Sequence, residues 1–499
     1  MSEPIIYDIS VSGRQAVSLP ACDVPKAKLP DELLRSDLDL PEVSELQVVR
    51  HFVNLSRKNF AIDRNFYPLG SCTMKYNPKI NEDTARLPGF AHLHPLTDEA
   101  ESQGVLSLMY TLQTWLAEVS GFSAVSLVPA AGAQGELAGI LMIRAYHRER
   151  GDDKRVKILV PNSAHGTNPA TVTMVGFQAV ELPSDEDGNV DLDALKAACD
   201  DTVAGMMITV PSTLGLFDRN ILEVIRLVHE CGGLMYMDGA NMNALMGIVK
   251  PAALGFDVMH YNLHKTFSTP HGGGGPGCGA VGVNVKLTPY LPGPIAAIVD
   301  SDLEKPAPLY GLIMPEKSIG RLKAFHGNVG MFIRAYTYIR SYGGNGLREV
   351  SRHAVLNANY IRARLHDEYT VPYDRYCAHE FVMEGRFEGV DGVHALDISK
   401  RLMDYGIHPP TNYFPLIVPE ALLIEPTETE DKATLDEFID VMKKIAEEAK
   451  TQPDLLTNAP HTTEIRRVDE VRAAKQLVLC CRPVPEWDVK DEKKEDTKA

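Results

Sequence analysis

Lys265 stands in Asn262-Leu263-His264-Lys265-Thr266-Phe267, directly after the apolar run VMHYN (258–262) and just before the glycine run HGGGGPG (271–277). A lysine ammonium is strongly hydrated and awkward to bury. A desolvated lysine has a lowered pKa and can form a Schiff base with an aldehyde. An isolated His-Lys pair is ordinarily just an exposed loop. The glycine run does not have G-x-G-x-x-G spacing between a strand and a helix, so a Rossmann-type dinucleotide site is not supported.

Asp238 ends the apolar run LMYMD (234–238) and precedes Gly239-Ala240-Asn241. The carboxyl ends of parallel strands are where α/β sheets bind ligands. A pyridoxal cofactor needs both groups: the lysine holds its aldehyde, and an anionic aspartate keeps its ring nitrogen protonated. His165, in Ser163-Ala164-His165-Gly166-Thr167-Asn168 after VKILV, is a candidate to lie flat on such a ring. Ala131-Gly132-Ala133-Gln134-Gly135-Glu136 follows AVSLV and opens a helical pattern. Small residues there let helix N-terminal N–H groups approach a phosphate. Each signal is weak alone. Four of them after four successive strand-like runs are much stronger together.

The elements that must position these residues are legible as an α/β region. VKILV (156–160), AVEL (179–182), GMMITV (205–210), LMYMD, VMHYN and AVGV (280–283) are apolar runs of strand length. Helical patterns separate several of them, including 219–231, which predicts a largely parallel sheet covered on both faces. Helical spacing over 101–119 ends at Gly121. The expected organisation is an N-terminal arm over 1–100, a large α/β domain over 101–340, a smaller domain over 341–455 and a tail over 456–499. SYGGNG (341–346) is the expected connection. Thr434 and Glu437 form a capping-box pattern that predicts a helix starting near 434.

The chain has 499 residues, too many for one core. Its formal net charge of -17 disfavours nucleic acid and anionic membranes as partners. Eight cysteines without CxxC or zinc-ligand spacing read as reduced thiols. No apolar run reaches membrane-spanning length, and the N-terminus lacks a signal-peptide pattern, so a cytoplasmic protein is expected. No metal site is expected.

Longer stretches carry a resemblance. They include YPLGSCTMKYNP (67–78), PAAGAQGELAG (129–139), SAHGTNPAT (163–171), PSTLGLFDRNI (211–221), MDGANMNALMG (237–247), NLHKTFSTPHGGGGPG (262–277), HPPTNYFPLIVPEALLIEPTET (408–429) and PHTTEIRRVDEVRAAKQ (460–476). Nearly end to end, the chain resembles the P-protein family of the glycine cleavage system, in its two-chain form and on the lysine-bearing side. The resemblance implies a fold-type-I, aspartate aminotransferase-like enzyme that uses pyridoxal 5'-phosphate to decarboxylate glycine. It implies transfer of the aminomethyl group to a lipoylated H-protein, and an assembly of two copies each of this chain and a companion subunit. It makes Lys265 the Schiff-base lysine, Asp238 the partner of the ring nitrogen and His165 the stacking residue. Gly132, Ala133, Gln134 and Thr266, with His264 and Thr213, would bind cofactor, and Ser71, Cys72 and Thr73 would line the substrate side. Related subunits often have His where this one has Gln134. The tail from Cys480-Cys481 runs beyond the family pattern. Other readings are an ordinary aminotransferase or decarboxylase of the same fold, or a non-catalytic scaffold subunit; the intact NLHKTF motif argues for the catalytic half.

Overall fold

The structure, a computed structural model, describes residues 3–34, 40–271, 277–301 and 308–479. The chain divides into two compact units, Met1–Ala61 with Pro460–Ala499, and Ile62–Ala459. In the first unit, helix Glu45–Arg57 starts at a capping box in which Ser44 and Gln47 satisfy each other's backbone N–H. Lys58 pairs there with Glu464 at 2.7 Å. The division after Ala61 differs from the arm expected to reach residue 100. Residues past 61 are tied into the second unit, where Glu82 forms a two-pronged ion pair with Arg334 at 2.7 Å.

The second unit is built on a seven-stranded sheet. Its strands are β1 (Ala124–Ser126), β2 (Lys157–Pro161), β3 (Gln178–Leu182), β4 (Val203–Thr209), β5 (Leu234–Gly239), β6 (Val258–Asn262) and β7 (Gly279–Val283). Their spatial order is β1-β7-β6-β5-β4-β2-β3. Only β7 is reversed, running antiparallel to both β1 and β6. Strands β4 to β7 are buried along their whole lengths, which is why their sequences are continuous apolar runs and not alternating ones. Register places Thr209, Asp238 and His260 abreast on β4, β5 and β6 at their carboxyl ends.

Helix α1 (Glu99–Ser120) is capped by Asp98 and stopped by left-handed Gly121. Helix α2 (Gly132–Glu149) lies against β5 and β6 at very short range. A Cβ on Gly135 would come 2.5 Å from the His260 side chain, and one on Gly139 would come 2.3 Å from the Tyr236 ring. Helix α3 (Thr167–Val175) follows β2, and α4 (Ile221–Glu230) precedes β5. Helix α5 (Val329–Leu365) runs through SYGGNG without a connecting loop. The expected break appears as a kink at Gly343, whose φ of 61° and ψ of 179° no helix contains.

Strands β8 (Ile295–Asp300) and β9 (Leu309–Ile313) form a two-stranded ribbon. Beyond α5, β10 (Phe381–Glu384), β11 (Thr411–Asn412) and β12 (Ala421–Ile424) make a small antiparallel sheet in the order β10-β12-β11. Helix α6 (Lys432–Thr451) packs Phe438, Ile439 and Met442 into a core shared with Phe381, Leu422 and Ile424. Its cap is Asp431, whose side chain accepts from the Thr434 N–H, so the helix begins ahead of the expected Thr434. No helix among the described residues is long and apolar enough to cross a membrane.

Candidate active site

At the carboxyl ends of β4, β5 and β6 lies a cavity of about 250 Å³. Ser71, Gly132, Ala133, His165, Thr213, Asp238, His264 and Lys265 line it, together with Glu136, Thr209, Asn241, His260 and Asn262. The first eight are expected site residues. Cys72, Thr73, Gln134 and Thr266 are not on its wall.

Lys265 is half-buried, in the turn that follows β6. Asp238 is 4% exposed. Its Oδ1 accepts the Ala240 N–H at 2.9 Å and its Oδ2 accepts Asn168 Nδ2 at 3.2 Å. His260 Nε2 stands 3.3 Å from Oδ1. Burial resists ionisation of this carboxyl, but neighbouring His260, the Ala240 N–H, the Lys265 charge and Asn168 together outweigh it and hold Asp238 below the ordinary aspartate value. A buried, ionised carboxylate is therefore aimed along the sheet edge. Behind it, His260 Nδ1 is 2.5 Å from the Tyr236 hydroxyl. Burial pushes the Tyr236 phenol well up, so it stays protonated.

Gly132 and Ala133 bring the first turn of α2 to the cavity, and no side chain caps that helix. Its leading N–H groups thus face the site as an anion cradle. Gln134 turns elsewhere: its Oε1 accepts the Ala130 N–H at 2.8 Å. Two buried hydroxyls, Thr209 Oγ1 and Thr266 Oγ1, have no hydrogen-bond partner. His165 is exposed, with Nδ1 2.9 Å from Thr167 Oγ1, and its ring tilts against Phe414 at 5.5 Å. Thr167 in turn donates to Glu136 at 2.8 Å. Thr213 donates to the Ser163 carbonyl. His264 Nδ1 lies 3.0 Å from the Cys278 N–H, and burial pushes its pKa down to about 4.

The loop with Ser71, Cys72 and Thr73 reaches the cavity through Ser71. Cys72 is half-buried; burial, outweighing the Lys265 charge, pushes its thiol up to about 11. Residues 272–276 of HGGGGPG, and Cys480 and Cys481, lie outside the described residues. The cysteines that are described are all free.

Sequence reasoning missed several residues here. Thr209, His260 and Asn262 sit inside strand-like runs and read as core. Glu380 and Glu425 lie behind the Ser71 loop and come from the small-sheet region, far along the chain. Only Glu425 falls within a long motif.

A sheet in this order with a single reversed strand, a lysine after one strand and a buried carboxylate ending its neighbour gives the chain the fold of the fold-type-I pyridoxal-phosphate enzymes. Solved structures share that fold. One, "Crystal structure of glycine decarboxylase (P-protein) of the glycine cleavage system, in inhibitor-bound form", has a TM-score of 0.71 at 21% identity, covering 84% of this chain and 93% of that one. Another, a rice protein described as "Oryza sativa TDC with PLP and tryptamine", has a TM-score of 0.63 at 14% identity over 85% of this chain and 93% of that one. Sequence relatives narrow the class. A protein of Alkaliphilus oremlandii named "Probable glycine dehydrogenase (decarboxylating) subunit 2" is 56% identical over 95% of this chain and 97% of its own length. One of the same name from Exiguobacterium sibiricum is 55% identical over 98% and 99%. The family model "Glycine dehydrogenase, C-terminal domain" matches residues 350–461. The chain belongs to the glycine dehydrogenase (decarboxylating) subunit 2 family.

Proposed function

We propose that this chain decarboxylates glycine with pyridoxal 5'-phosphate bound at Lys265, as the lysine-bearing subunit of a two-chain P-protein in the glycine cleavage system. The observation that carries this reading is the placement of Lys265 and ionised Asp238 on one cavity, at the ends of adjacent parallel strands. The residues fit the cofactor. Uncapped N–H groups at Gly132 and Ala133 suit a phosphate, and Lys265 suits an aldehyde. Asp238 suits a protonated ring nitrogen, and the exposed ring of His165 suits a face to stack on.

When bound, the cofactor supplies an aldehyde and a cationic ring that accepts the electron pair glycine keeps as carbon dioxide leaves. Asp238 holds the ring-nitrogen proton, and His260 holds Asp238 ionised. Ser71, from the facing loop, bounds the substrate side. Burial of Asp238 makes its charge act at low dielectric, where it is worth most. The partners of this reading are a companion subunit, two copies of each chain in the assembly, and a lipoylated H-protein that takes the aminomethyl group, all in the cytoplasm.

The test is spectroscopic first. Purified with its companion subunit, the wild type should be yellow, and Lys265→Ala should lose the visible band; an unchanged band rejects the lysine. Asp238→Asn should keep the cofactor while glycine–bicarbonate exchange collapses. Exchange that needs no lipoylated H-protein would point to an ordinary decarboxylase of the same fold.

A further inference from the structure

Glu380, Glu425 and His379 are fully buried at 0% exposure, and their ligating atoms lie within 4.8 Å of one another. Neither ring nitrogen of His379 has a hydrogen-bond partner; its Nε2 is 3.7 Å from Glu425 and 4.0 Å from Glu380. The two carboxyls do have partners: Glu380 Oε1 accepts Asn241 Nδ2 at 3.4 Å, and the shorter bonds converge on one short segment. Glu380 Oε2 accepts the Ser71 N–H at 2.6 Å. Glu425 accepts the Thr73 N–H at 2.8 Å and the Thr73 hydroxyl at 2.5 Å. Both clamped residues are non-glycine residues in the left-handed region, with φ of 63° at Ser71 and 49° at Thr73. That conformation is costly and persists only where surroundings over-determine it. Ser71 is also the loop's contribution to the wall of the cavity that holds Lys265.

We propose that Glu380 and Glu425 are positioning residues for the reaction, a pair of buried carboxyls that clamp the Ser71–Thr73 turn in its strained form so that Ser71 bounds the glycine side of the cavity. The glycine assignment rests on the function proposed above; the clamp itself does not. The clamp comes from the small-sheet region, with Glu380 just ahead of β10 and Glu425 just after β12. It meets the cavity that holds Lys265 through the turn and, on the Glu380 side, through Asn241 as well. Burial, reinforced by the Glu425 charge, pushes the Glu380 carboxyl well up, in keeping with two acids that cannot both ionise so close together.

The experiment uses the assembled holoenzyme with Glu380→Met and Glu425→Met, which keep side-chain length and remove the acceptors, beside Glu380→Gln and Glu425→Gln, which keep one oxygen. Each Met variant should raise KM for glycine on the order of tenfold, the worth of about one buried hydrogen bond, with a smaller fall in kcat. Gln should recover part of that loss. A second measurement is independent of glycine: the rate at which a maleimide alkylates Cys72, followed by peptide mass spectrometry. It should rise several-fold in the Met variants as the turn loosens, roughly the gain expected when a local opening equilibrium shifts. Unchanged Cys72 labelling in both Met variants overturns the clamp. Raised labelling with unchanged glycine KM overturns the positioning role. A wild type with no glycine exchange sinks the functional reading and leaves the labelling result to judge the clamp.

Discussion

His260 Nε2 lies 3.3 Å from Asp238 Oδ1, and both residues are buried at facing register positions on neighbouring parallel strands. Of the groups that favour the charged form of Asp238, His260 is the largest. His260→Gln removes the imidazole and keeps a polar group of similar reach. The expected result is a holoenzyme with its visible band retained and glycine–bicarbonate exchange reduced on the order of tenfold, the worth of one strong polar contact. Exchange at the wild-type rate would show that Asp238 stays ionised without it.

Lys75 is fully buried, with Nζ 2.8 Å from Glu428, 2.9 Å from Asn243 and 3.1 Å from the Tyr338 hydroxyl. Removing one partner of a buried pair strands the other charge, a cost of about 3–5 kcal/mol. Lys75→Met should therefore lower the urea midpoint strongly. The double variant Lys75→Met with Glu428→Gln should recover at least half the loss; a double variant as weak as the single one would mean that packing, not the stranded carboxylate, is at fault.

Gly215 has a φ of 75°, and a Cβ there would sit 1.9 Å from the Glu380 carbonyl oxygen. Alanine meets both a disfavoured backbone conformation and a backbone atom that cannot yield cheaply. Gly215→Ala is expected to destabilise by about 1–3 kcal/mol, read as a lower thermal midpoint. Because the strained contact is with Glu380, Cys72 labelling should also rise. An unchanged midpoint would mean the 212–216 turn relocates freely.

His326 is 2% exposed, and neither of its ring nitrogens has a partner. Burial first, then the charges of Lys323, Arg321 and His94, push its pKa down to about 4 from an ordinary 6.5. Above pH 6.5 the ring is neutral in both folded and unfolded chains, and its contribution is fully present. As pH falls from 6.5 towards 4, the unfolded chain binds a proton that the folded one refuses, so stability is lost across that window. The drop in urea midpoint between pH 7 and pH 5 should shrink in His326→Leu. A drop of wild-type size would assign acid sensitivity to the other buried histidines.

Much of the large sheet was legible because β4 to β7 are buried on both faces, and full burial writes itself as an unbroken apolar run. The same burial hid His260. In VMHYN it looks like one polar residue in a core strand, and only register shows that it faces Asp238. Asp238 stood out because it is a charged residue ending such a run, and Lys265 because it closely follows one. Gln134 shows the limit of motif reasoning: it occupies a motif position, yet its side chain folds back on Ala130. Nothing local marks Glu380. Its role arises from a tertiary meeting with Ser71, some 300 positions earlier, a separation that no periodicity encodes. At SYGGNG, glycine marked a discontinuity: Gly343 is non-helical, and two helical segments meet there at a kink.

Leu69 bridges to Ile424, the Gly70 N–H bonds to the Leu423 carbonyl, and Thr411 Oγ1 donates to the Gly70 carbonyl. The segment ahead of Ser71 is thereby stitched onto the small sheet, while Lys265 hangs from the large one. The gap between hydroxyl and amine is consequently a gauge of how the two sheets are set, and any shift of one against the other is felt first at the carbon that must lose its carboxylate.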